Sequence, residues 1–168
     1  MLRCRLIPLS LLFLLTSAVQ AADYKAWLSL LPETVMGMTR AGEPDGANVT
    51  MGEMQNSSLT LRYRKGSGDH ARHAEIMVIY DSSKSLIMPF SMVRDMRVET
   101  PQEIHKPTTL SGFDAIYQLD RQVPQNALIV ILRPDLLINI TFQPPISEDA
   151  IMKFAAELPL AELAKSVP

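Results

Sequence analysis

The chain has 168 residues, 47% of them hydrophobic, with 16 lysines and arginines against 18 aspartates and glutamates. That length suits one domain with an apolar core of its own, and the slight acidity speaks against nucleic acid or an anionic membrane as a partner. The single cysteine, Cys4, excludes a disulfide framework.

The first residues, MLRCRLIPLSLLFLLTSAVQA, place two arginines before an apolar run over 6–15 and then small residues ending at Ala21. This is the layout of a cleavable signal peptide, and the apolar run is short for a membrane span. An uncleaved anchor is the alternative. Cys4 precedes the apolar run rather than following it, so lipidation is not expected. Cleavage after Ala21 would leave residues 22–168 as a single domain with neither a thiol nor a transmembrane anchor. Losing Arg3 and Arg5 makes that domain more acidic by two charges. A cysteine-free exported domain of this kind is expected in the bacterial periplasm.

In DYKAWLSLLP, Tyr24, Trp27, Leu28 and Leu31 recur at helical spacing, with Asp23 placed to cap and Pro32 to stop. Residues 36–56 are rich in glycine, proline and polar side chains, which predicts at most a short strand and turns. Leu59, Leu61 and Tyr63 then alternate with Thr60, Arg62 and Arg64. After the turn KGSGDH the alternation resumes with Ala74, Ile76, Val78 and Tyr80, predicting a hairpin. A helical middle segment around Pro89 is followed by strand patterns at 113–119, ALIVIL and LLINITF. The unbroken apolar run over 127–132 predicts a central strand covered on both faces. Ser147 can cap a last helix that presents Ile151, Phe154, Ala155 and Leu158 on one face and is ended or kinked by Pro159.

This order predicts an α+β domain, a mainly antiparallel sheet with N-terminal, middle and C-terminal helices packed against it. It resembles the layout of PsbP-like domains and, more loosely, that of many small exported bacterial proteins of unknown function. The resemblance spans most of residues 22–168 and implies helices around an antiparallel sheet. It rests on element order, so it carries over no functional residue, and fold alone would not license a function.

GSGDHARH gathers Ser67, Asp69, His70 and His73, the residue types of a hydrolase triad. Catalytic serines sit in strained elbows such as GxSxG with partners from distant segments, so the satisfied hairpin turn is the better reading. His70 and His73 form an HxxH dyad that could ligate zinc or copper, with His105 elsewhere, but no third ligand stands at a recognisable spacing. Arg62, Arg64 and Lys65 form a basic row suited to an anionic partner or to a solvated sheet face.

The segment MPFSMVRDM sets Met88, Met92 and Met96 four apart. Thioethers suit copper(I), but the rise from Met88 to Met96 is about 12 Å, too long for three sulfurs on one ion. Packing of Met92 and Met96 into the core by an adaptable side chain is the expected role. No cofactor is implied, and no convergent catalytic set is evident. The expectation is an exported binding or accessory domain recognising a protein or envelope component through the sheet face or the loop from Met36 to Asn56. A copper- or metal-handling protein using His70, His73, Met92 and Met96 is the alternative.

Overall fold

The computed structural model describes residues 22–68 and 71–168; the expected signal peptide over 1–21 and the turn residues Asp69 and His70 lie outside the described residues. Helix α1 (Tyr24–Leu30) starts where Asp23 accepts a hydrogen bond from the Lys25 N–H at 3.1 Å. Its fully buried Trp27 donates from Nε1 to Ser166 Oγ at 2.9 Å, tying the two ends of the domain together.

Ten strands follow or interleave with the remaining helices: β1 (Thr34–Val35), β2 (Met38–Arg40), β3 (Asp45–Met51), β4 (Met54–Lys65) and β5 (Arg72–Asp81) precede helix α2 (Met88–Val93). Then come β6 (Val98–Glu99), β7 (Glu103–Leu110), β8 (Phe113–Asp120), β9 (Gln125–Arg133) and β10 (Leu136–Gln143), and last α3 (Glu148–Ala156) and α4 (Leu160–Lys165). All pairings are antiparallel. The sheet runs β1-β2-β4-β5-β10-β9-β8-β7-β6, with β3 also on β4. β4 is long enough for its outer edge to serve two short strands, β3 along 54–60 and β2 at Tyr63 and Arg64. The architecture is α+β.

Alternation sorts the side chains onto two faces. Leu59, Leu61, Ile76, Val78, Leu128, Val130, Ile138 and Ile140 join Trp27, Ile151, Phe154 and Leu163 in the main core beneath α1, α3 and α4. Phe154 meets Tyr63 and Phe142 edge-on, a favourable arrangement of aromatic quadrupoles. Ser147 caps α3 by accepting from the Ala150 N–H at 3.3 Å. The central strand β9 is apolar on both sides because Ile129 faces away, into a smaller cluster with Ile87, Ile116 and Leu137. That cluster is the footing of α2 on the other, outer face.

Two expectations need correction, and one strand was not foreseen. Residues 36–56 hold β2, β3 and the start of β4 rather than one short strand. β3 is exposed at six of its seven residues, so it owes its order to pairing with β4 and leaves no apolar alternation to read. Strand β7 was hidden by Pro107, which is tolerated because β7 lies near the edge of the sheet. The methionines of α2 are not core: Met92 is 76% exposed and Met96 45%. The inward stripe is Ile87, Phe90 and Val93, three apart, and Met92 stands on the opposite side of a helix only six residues long.

Candidate functional site

The outer face divides into a part under α2 and a part open to solvent. α2 is fixed at both ends by polar groups. At its entry, Asp81 is fully buried and accepts from the Ser83 N–H (2.9 Å), Ser83 Oγ (2.6 Å), Ser85 Oγ (3.0 Å) and the Leu86 N–H (2.8 Å). Asn56, with its amide nitrogen turned to the carboxylate, donates at 2.8 Å. Burial raises the Asp81 pKa, but the hydrogen bonds from Leu86, Ser83 and Ser85 outweigh it and hold the carboxyl below its ordinary value. At the exit, the Val93 carbonyl can only accept, so His105 Nε2–H donates to it at 3.2 Å. Nδ1 is thereby left to accept from Gln118 Nε2 at 3.1 Å. His105 is a strut for α2 and both its nitrogens are occupied.

The same junction anchors the β3–β4 hairpin. Gln55 N–H donates to Ser82 Oγ at 2.8 Å and Ser82 N–H to the Gln55 carbonyl at 3.0 Å. Gly52, at φ 61°, opens the two-residue turn between the paired Met51 and Met54. The hairpin tip therefore stands beside the loop into α2, and both present apolar side chains to water. Val49, Met51 and Met54 are exposed on the hairpin, and Leu86, Met88, Met92 and Met96 along the loop and helix. In the register, Ala47, Val49 and Met51 pair with Ser58, Asn56 and Met54, and all six point to the outer face.

Beyond α2 the outer face is polar. Cross-strand neighbours Arg62, Glu75 and Thr141 form one row, and Arg64, His73 and Gln143 the next. They line a concavity of about 410 Å³ walled by Ala41 and Gly42. Arg62 Nε lies 3.3 Å from Glu75, an exposed pair of little energetic weight. Lys65 leaves this row: by strand parity it turns to the helix-bearing side, where Nζ donates to the Met36 carbonyl at 3.3 Å.

The residues considered for metal are not brought together. His73 is exposed near the start of β5, and Ile79, which packs under α2, is six residues away, about 20 Å along an extended strand. Met92 and Met96 are on α2 and its exit, and His70 is outside the described residues. Among the described residues no group of three His, Cys, Asp or Glu side chains is placed to hold a metal ion. Ser67 is exposed in its turn. The sequence offered the segment from Met36 to Asn56 as a recognition loop but not its hairpin or its exposed apolar face, because exposed valine and methionine look the same as buried ones in a pattern. The signal on hand was a run from Ala41 to Leu61 free of lysine and arginine.

No family model, curated protein or solved structure matches the chain. No helix among the described residues is long and apolar enough to cross a membrane.

Proposed function

We propose that the protein is a non-enzymatic accessory domain of the periplasm, exported by a cleaved signal peptide, that recognises a protein component of the envelope. The observation that carries this reading is the apolar outer surface, Val49, Met51 and Met54 on the hairpin beside Leu86, Met88 and Met92. Soluble domains bury such side chains when nothing else is at stake, and a contiguous exposed set marks an interaction surface. Methionine suits a surface that must adapt to its partner, because its unbranched side chain repacks at low cost.

The test is site-specific photo-crosslinking in intact cells with the reactive group at Met92, at Met51 and, as a control, at exposed Lys153 on α3. A discrete adduct from the first two positions and none from Lys153 is expected. Equal labelling from all three, or none, would remove the surface as a recognition site. The second reading, copper(I) handling, is favoured by one observation: Met88 and Met92 are both exposed and four residues apart, within reach of one ion. Titration with copper(I) under a competing chelator separates the two, since the accessory reading requires no stoichiometric copper.

A further inference from the structure

Resting on the reading of this surface as a protein-recognition site, we propose that β3 is a receptor edge for strand addition. Its occupant would be an extended segment of another protein that alternates apolar and small polar residues and carries basic residues at its ends.

A strand at a sheet edge exposes every second N–H and C=O, and natural sheets blunt such edges with proline, lysine, bulges or brevity. Elsewhere this sheet does so: β1 and β6 are two residues long, and β7 carries Pro107 beside the stretch that β6 leaves uncovered. β3 has seven residues, pairs among the described residues only with β4, and has no proline, lysine or arginine. Among the described residues no hydrogen bond reaches its outward backbone groups. The strand is also held in place rather than frayed. Asn48 accepts from the Tyr24 N–H at 3.2 Å and donates to Asp23 at 2.9 Å. A Cβ at Gly46 would overlap the Tyr24 ring, so glycine there lets α1 press against β3. A rigid, unpaired edge is pre-organised for a partner strand, whose main chain supplies affinity while alternate side chains supply selectivity.

The side chains define the partner. On the outer face the added strand would run past Ala47, Val49 and Met51, and on the other face past Gly46, Asn48 and Thr50. Its own residues should therefore be apolar on one side and small and polar on the other. A second copy of β3 has that alternation, but charge speaks against it. Glu43 stands before the strand, Asp45 opens it and Glu53 follows it, none of them in an ion pair among the described residues. Antiparallel self-pairing centred on Asn48 would set Glu43 against Glu53 of the other copy at both ends, and like charges directly opposed destabilise a ladder. Basic residues flanking a foreign strand would instead complement both acidic ends.

The experiment is amide hydrogen exchange of residues 22–168 with and without a short synthetic peptide of alternating valine and threonine with a lysine at each end. The outward amides of residues 45–51 should exchange about tenfold more slowly with peptide at saturation. Val49→Lys introduces the charge that natural edges use, at an exposed position, so it should abolish the protection with an unchanged melting temperature. The pair Asp45→Asn and Glu53→Gln should keep binding but lose the preference for lysine-ended over glutamate-ended peptide. Binding with β3 amides still exchanging freely, as when protection is confined to α2, would overturn strand addition while leaving the recognition surface intact. Protection of β3 that rises with protein concentration alone would overturn the foreign partner in favour of a second copy. No peptide binding at all would overturn the proposal, and absence of a cellular crosslink from Met92 and Met51 as well would take the accessory reading with it.

Discussion

On the helix-bearing side of the sheet, residues from eight strands and three helices close into one cluster with Trp27, Phe154 and Leu163 sealed from water. On the outer side the buried apolar cluster among the described residues is Ile87, Ile116, Ile129 and Leu137, and a helix of six residues covers it. Burial dominates the first face, because three helices each contribute an apolar stripe, and hydrogen bonds such as Trp27 to Ser166 and Asn126 to Ile146 add to it. The second face has too little apolar contact to hold α2 by itself, and hydrogen bonds at Asp81 and His105 do much of the positioning. A segment held that way opens locally at lower cost than the main core. It can leave its methionines in water because the inward stripe and the polar groups at its two ends dock it together. The difference separates what keeps the domain folded from what is free to recognise a partner.

The largest expected effect lies on the closed side. Trp27→Ala should destabilise the whole domain by about 3 to 5 kcal/mol, measured by denaturant unfolding, since the cavity would open at the seam where α1 meets Ser166. A loss below about 0.5 kcal/mol would mean that α1 is not docked as described.

A smaller effect is expected at the entry of α2. Asp81→Asn replaces a carboxylate that accepts from four protein donors of its own loop with an amide that can accept at one oxygen only. The cost should be about 1 to 3 kcal/mol. It should appear first as faster exchange of the Ser83 and Leu86 amides, with the main core still protected. The sign with pH follows from the lowered pKa. Stability from Asp81 is fully present above the unfolded carboxyl value, about pH 3.9, and is lost as pH falls through the lower folded value. In the Asn variant that acid-dependent component should be missing.

The smallest effect belongs to the exposed ridge. Met92→Ser should change stability by no more than about 0.5 kcal/mol, because a side chain 76% exposed leaves no cavity behind. The same substitution should weaken the crosslinked complex. A stability loss of a core residue's size at Met92 would erase the contrast between the two faces.

Much of the closed face was legible in the residues themselves. Asp23, Trp27 and Pro32 defined α1, alternation defined β4 and β5, the apolar run defined β9, and Ser147 with Phe154 defined α3, because burial on one side of a regular element imposes a period on the sequence. Periodicity says which residues share a side and is silent on whether that side meets protein or water. For α2 two stripes were available, Met88, Met92 and Met96 or Ile87, Phe90 and Val93, and only the sheet beneath, with Ile116, Ile129 and Leu137 in place, chose the second. β3 had no period to read, since its order comes from hydrogen bonds to β4, a partner chosen by chain topology. Local patterning thus determined the elements and the main core. The exposed methionines, the open edge and the polar concavity were decided by which elements came to lie over which face, a non-local choice that no single segment encodes.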